Sequence, residues 1–258
     1  MEAYTNFAQV YDTFMDNVDY ESWAEYLIKL LKMNNIHDGI VLDLGCGTGS
    51  ITSLLSGKGY DMIGIDNSMD MLSIAMEKRG DDESILYLLQ DMREMELYGT
   101  VAAVISSCDC MNYITDYADL VTVFKLVNNY LDPKGLFIFD INTVAKYRSI
   151  GDSVIAEDRD DCSFIWENSY YDEDKINEYN LSIFIQGEDG RYDKFSEVHY
   201  QRAYSRGEII KALTEAGLEY VTSYNAFTTE PADEANERIY FVAREHGKQP
   251  VNILNRHI

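Results

Sequence analysis

The segment richest in chemistry is Asp43-Leu44-Gly45-Cys46-Gly47-Thr48-Gly49, where an aliphatic run enters glycines. A buried strand that turns through glycines into a helix aims backbone N–H groups at whatever sits above the carboxyl edge of a sheet. The spacing differs from G-x-G-x-x-G: Ser50 stands where the third glycine would be, glycine falls at 49, and an acid precedes the first glycine by two residues. A carboxylate at the mouth of such a loop suits a cationic amino group better than a pyrophosphate, which disfavours a nicotinamide dinucleotide. Asp66 closes the next aliphatic run, where a carboxylate can accept both hydroxyls of a ribose. Asp91, in Gln90-Asp91-Met92, closes the third and can accept from an exocyclic amine. Either of these two aspartates alone would serve equally well as a helix cap. Three acids at the ends of three consecutive strands describe a pocket for a ribonucleoside with a positively charged, amino-acid-like tail.

Alternating strands and helices are needed to hold those residues on one edge. Residues 1–36 read as helix, with Asp19 as N-cap and Trp23, Leu27, Leu30 and Leu31 on one stripe. Strands are expected at Ile40–Leu44, Met62–Ile65, Ile85–Leu89, Val101–Ser106 and Leu136–Ile141. Helices are expected between them at Ile51–Leu55, Ser68–Arg79 and Asp116–Leu131, an order that implies a parallel sheet covered on both faces. Residues 150–198 break the rhythm with 14 acids against 4 bases and apolar residues at period two, such as Tyr179, Leu181, Ile183 and Ile185. Gly187 and Asp189-Gly190 mark a turn between two such runs, so an antiparallel ribbon is expected here. Ser205…Glu208 is a capping box opening a helix that stops at Gly217, and two late strands, Leu218–Ser223 and Ile239–Ala243, complete the sheet. The expected organisation is an N-terminal helical arm (1–36), a core (37–145 and 205–245), an insertion (146–204) and an aperiodic tail (246–258).

Composition narrows the function classes. With 21 basic and 45 acidic residues the net charge is −24, a surface that repels phosphate backbones. No stretch approaches the roughly 18 apolar residues of a membrane span, and the N-terminus lacks the pattern of a secretory signal. The 4 cysteines include no C-x-x-C, and no metal set is completed around Cys108 and Cys110. A cytoplasmic chain with reduced thiols, no metal, no nucleic acid and no membrane is expected.

With DLGCGTG, GIDNSMDML and QDM in place, the chain resembles the class I S-adenosylmethionine-dependent methyltransferases over roughly residues 35–145 and 205–244. The resemblance implies an α/β, Rossmann-like, doubly wound seven-stranded sheet whose last strand is antiparallel. It also implies that S-adenosylmethionine is the cofactor, with Gly45 and Gly47 near its methionine part, Asp66 on the ribose, and Asp91 with Met92 beside the adenine. Asp43, Cys46, Asn67, Met71 and Ser107 complete the expected cofactor set. FAQVYD and CDCMNYI look like the subgroup acting on small molecules, with an inserted antiparallel β lid over the active site. The segment after the fourth strand, Ser107-Cys108-Asp109-Cys110, lacks the Asn/Asp-Pro-Pro-aromatic loop of the enzymes that methylate bases or protein glutamine. Methyl transfer to a nitrogen or oxygen of a small-molecule acceptor is therefore the expected activity. Tyr11, Tyr113 and His199 are the catalytic candidates, with His199 the favoured base because its polar neighbours would keep it solvated; Asp109, Asn112 and Arg202 are the substrate-binding candidates. Strand alternation puts Glu197, His199 and Gln201 on one face and Arg202 on the other. A non-catalytic protein that binds the same cofactor would need the same glycine loop, and an NAD-dependent oxidoreductase is the more distant rival.

Overall fold

Ile40–Leu44 (β1) is the central strand: Val41, Leu42 and Leu44 are fully buried, and both of its edges are paired. In the computed structural model, which describes residues 7–80 and 84–248, β1 lies between Asp61–Asp66 (β2) and Val101–Ser106 (β4). Ile85–Leu89 (β3) extends the sheet beyond β2, and Leu131–Asn142 (β5) beyond β4, all in parallel. Arg238–Glu245 (β11) inserts antiparallel between β5 and Leu218–Asn225 (β10), giving the order β10-β11-β5-β4-β1-β2-β3. The seven-stranded sheet with its antiparallel last strand is thus the one expected.

Alternate residues of the same strands feed two apolar layers. Leu42, Leu44, Phe137, Phe139 and Phe241 pack with Tyr117–Tyr130 (α5) and Arg206–Glu215 (α7) on one face. Val41, Ile138, Tyr240 and Val242 pack with Tyr20–Met33 (α2) and Ser50–Ser56 (α3) on the other. Met69–Arg79 (α4) follows β2 and is capped by Ser68. The capping box at Ser205 and Glu208 is present, and Asp19 caps α2 through Ser22 N–H.

Three features differ from the sequence expectation. Of the expected N-terminal arm, residues 1–6 lie outside the described residues and the rest holds two helices, Ala8–Phe14 (α1) and α2, because the chain leaves helical geometry between Met15 and Asp19. β5 starts five residues early, at Leu131, carried past Pro133 by Lys134 in a left-handed conformation (φ 66°). A short helix, Val144–Ile150 (α6), leads out of β5.

The inserted segment is a separate antiparallel sheet of Ser153–Asp158 (β6), Cys162–Tyr171 (β7), Ile176–Gln186 (β8) and Tyr192–Arg202 (β9). Its inner face buries Cys162, Phe164, Leu181 and Ile183 against Phe7, Val10 and Phe14 around α1. Of the expected tail, residues 249–258 lie outside the described residues. Its start is anchored, since Lys248 Nζ donates to the carbonyls of Asn128, Asn129 and Leu131 at the end of α5. No helix among the described residues is long and apolar enough to cross a membrane.

Candidate active site

The glycine loop is fixed by its own backbone. Gly45 N and Cys46 N both donate to Ile65 O, at 2.8 and 2.9 Å, which holds the loop across the end of β2. Gly45 has φ +83°, and a Cβ there would sit 2.7 Å from Cys110 Sγ, so glycine is required on both counts. Gly47, at φ +54°, has open space where a Cβ would be. That space belongs to a cavity of about 290 Å³ above the carboxyl edge of the sheet.

Asp66 turns its carboxylate under the loop. Oδ2 accepts from Gly47 N and Oδ1 from Ser68 N, each at 2.8 Å. Burial pushes its acidity down and its pKa up, opposed by those backbone donors. Asp43 is deeper: it is buried, its Oδ2 accepts from Thr52 Oγ at 2.6 Å, and desolvation pushes its pKa up to about 7. A buried carboxylate whose ionised form lacks a cation is a ready receptor for an ammonium group. Asp91 remains at the rim, but Arg93 forks it at 2.9 and 2.5 Å and holds its pKa below the usual range. Sequence reasoning did not foresee Arg93, whose charge also approaches Asp119 at 3.5 Å.

All ten expected cofactor residues line this one cavity: Asp43, Gly45, Cys46, Gly47, Asp66, Asn67, Met71, Asp91, Met92 and Ser107. Tyr11 and Tyr113 line it too. Tyr20, Cys108, Cys110 and Thr115 were not foreseen; they are brought there by α2 and by the 3₁₀ turn Cys110–Tyr113 with its flanks. Cys46 and both of the other thiols are raised in pKa by burial, which makes them packing groups and poor nucleophiles.

The remaining candidates sit elsewhere. Asn112 is fully buried, donating to the carbonyls of Asn142 and Arg202 and accepting from Asn142 N, so it ties β5 to the end of β9. Asp109 accepts from Arg238 and Gln201, both at 2.7 Å, and Arg238 also pairs with fully buried Asp140. Arg202 donates to Thr115 O and pairs with Glu208. None of these three lines the cavity; each is held by hydrogen bonds to other elements. His199 corrects the expectation of a solvated imidazole. It is buried, on the inward face with Glu197 and Gln201 as alternation requires, and its ring is separated from the cavity by Tyr113.

The residues present fit the cofactor that the resemblance implied. Asp43 offers a partner to an ammonium group, Asp66 an acid at the end of β2, and Gly47 an open cradle. Ser107 adds a buried hydroxyl that has no hydrogen-bond partner among the described residues.

Similarity to known proteins agrees with this geometry. A methyltransferase-domain family matches residues 41–135. YqeM of Bacillus subtilis (strain 168), which carries a methyltransferase name, is 35% identical over 94% of this chain and 97% of its own length. The crystal structure of an S-adenosylmethionine-dependent methyltransferase from Clostridium acetobutylicum ATCC 824 matches with a TM-score of 0.82 and 30% identity, covering 95% of this chain and 100% of that one. The fold is also shared with the sugar N-methyltransferase KedS8 of Streptoalloteichus sp ATCC 53650, at TM-score 0.76, 18% identity, and 92% and 93% coverage. Fold, cavity and kinship together make this chain a member of the class I S-adenosylmethionine-dependent methyltransferases.

Proposed function

We propose that the protein transfers the methyl group of S-adenosylmethionine to a nitrogen or oxygen of a small molecule. One observation carries this reading: the cavity runs without a break from the glycine loop to the tyrosines Tyr11, Tyr20 and Tyr113. When bound, the cofactor supplies an electrophilic methyl on a sulfonium. Asp43 would hold its ammonium, Asp66 its ribose, and Met92 with Met71 its base, while Ser107 donates from the end of β4.

In-line displacement needs mainly alignment and the exclusion of water, since holding two reactants at about 3–3.5 Å supplies much of the barrier reduction. Helix α1 would provide the cover. Asp12 accepts from Thr48 Oγ at 2.7 Å and pairs with Lys78 at 2.9 Å, pinning α1 over the loop. On its other side Phe14 packs edge-on to Phe164 of β7, with ring centres 4.7 Å apart. The inserted sheet thus reaches the cofactor loop through α1, a placement that supports its role as a lid. Sugar N-methyltransferase relatives of the same fold support an acceptor of small-molecule size.

Incubation with S-adenosylmethionine and a fractionated metabolite extract tests the proposal, with S-adenosylhomocysteine read by mass spectrometry. Turnover confined to low-molecular-mass fractions is expected. Tight binding with no turnover in any fraction would favour a non-catalytic regulator, and tighter binding of NAD than of S-adenosylhomocysteine would overturn the cofactor reading.

A further inference from the structure

Behind Tyr113 the structure stacks two more ionisable groups in line. Tyr113 lines the cavity and places its Oη 3.4 Å from His199 Nδ1. His199 Nε2 lies 3.1 Å from Glu197 Oε2, and both residues are buried. Glu197 is itself held: its other oxygen accepts from Phe7 N at 3.1 Å, at the start of α1. A carboxylate on one ring nitrogen fixes the tautomer, because it takes the N–H there and leaves the opposite nitrogen as an acceptor. Nε2 therefore carries the proton and Nδ1 receives the Tyr113 hydroxyl. The three groups come from three separate places: the strand β9 supplies Glu197 and His199, α1 orients Glu197, and the 3₁₀ turn after β4 supplies Tyr113.

The cavity's charge suggests what such a chain handles. Asp43, Asp66, Asp91 and Asp119 line it, and among the described lining residues Arg93 is the one cation, already paired with Asp91. With Asp43 and Asp66 given to the cofactor and Arg93 held between Asp91 and Asp119, the described lining offers an anionic acceptor no unpaired cation. A cationic one is favoured by the net negative lining and by the faces of Tyr11, Tyr20 and Tyr113.

Resting on the methyltransferase reading above, we propose that Tyr113, His199 and Glu197 form a proton relay that prepares an amine, arriving as its ammonium ion, for methylation. An ammonium nitrogen has no lone pair and cannot attack until it loses a proton. That proton passes to Tyr113 Oη as the Tyr113 hydroxyl proton passes to His199 Nδ1, leaving imidazolium opposite the Glu197 carboxylate. The freed lone pair forms the C–N bond, the C–S electron pair stays with sulfur, and the products are the methylated ammonium, a neutral thioether and the proton on His199, which later returns to solvent. Tyr113 is the catalytic residue; His199 and Glu197 act through it.

The test needs no knowledge of the natural acceptor. In protein labelled with ¹⁵N-histidine and saturated with S-adenosylhomocysteine, long-range ¹H–¹⁵N correlations report which nitrogen of His199 bears the proton. Nε2–H is expected in the wild type and in Tyr113→Phe, with a shift toward Nδ1–H in Glu197→Gln. Titration with n-butylammonium should perturb the His199 signals saturably, about tenfold more weakly in Tyr113→Phe, while n-butanol should leave them in place. Nδ1–H in the wild type, or equal responses to the amine and the alcohol, would overturn the relay. Failure of wild-type protein to bind S-adenosylhomocysteine would instead overturn the methyltransferase reading beneath it.

Discussion

At the scale of single residues, Asp66 and Asp43 divide the work of one pocket. Asp66 holds Gly47 N–H and Ser68 N–H, so Asp66→Ala loosens the loop and, on the proposed binding mode, also removes the ribose acceptor. Charge-assisted hydrogen bonds of roughly 1.5–3 kcal/mol are at stake, so calorimetry should show S-adenosylhomocysteine affinity falling about 10- to 150-fold. Asp43 differs because its pKa, raised from 3.8 to about 7 by burial, with Asp66 adding repulsion, makes the ligand-free fold bind an extra proton. Stability from this group is therefore highest at low pH, declines between about pH 4 and pH 7, and is flat above. Asp43→Asn should raise the melting temperature of the ligand-free protein at pH 8 by a few degrees, leave it unchanged near pH 4, and still weaken cofactor binding. In the wild type, cofactor affinity should fall by up to about tenfold per pH unit below pH 7, as the carboxylate must lose its proton to meet an ammonium. The expected residues that line the cavity could be read from sequence because a strand end, a glycine loop and a following acid are all local. His199, Asn112, Asp109 and Arg202 could not: alternation gives the face of a strand, but what packs on that face comes from chain 30 to 190 residues away.

Among the elements, α1 has a weight out of proportion to its seven residues. Its polar side meets the glycine loop where Thr48 Oγ donates to Asp12, and meets α4 through the partly exposed Asp12–Lys78 ion pair, a kind of contact worth about 0–1 kcal/mol. Its apolar side buries Phe14 and Val10 against the second sheet, where truncating a phenylalanine costs on the order of 3–5 kcal/mol. The sheet thus holds the helix, and the helix holds the loop. Phe14→Ala is expected to speed dissociation of S-adenosylhomocysteine about tenfold, measured by stopped flow, while Asp12→Ala changes it by less than about fivefold. Equal rates in wild type and Phe14→Ala would show that α1 does not cover the site. The sequence pattern marked α2 through its N-cap and the parallel strands through their aliphatic runs. It ran α1 into α2, because nothing in Met15–Asp19 breaks a helix as firmly as proline, and it passed over α6, too short to show periodicity.

On the whole-molecule scale, the charge of −24 acts on everything that approaches the protein. RNA should not bind at physiological salt, and anisotropy with a labelled oligonucleotide showing binding with a steep salt slope would contradict a small-molecule acceptor. The same field draws cations inward, because a cleft lined by one sign of charge raises the local concentration of the opposite sign. The carboxylates of the cavity stand at the focus of that field. The two forms of the cofactor differ in this respect: the methylated sulfonium form carries one more positive charge than the thioether product. Association of S-adenosylmethionine should therefore slow several-fold between low and about 0.5 M ionic strength, where the screening length falls below about 5 Å. S-adenosylhomocysteine, lacking the sulfonium charge, should associate at a nearly constant rate over the same range. Substrate capture is then favoured over product rebinding by a field that no single residue supplies, and equal salt dependence of the two association rates, measured by stopped flow, would show that the field does not reach the pocket.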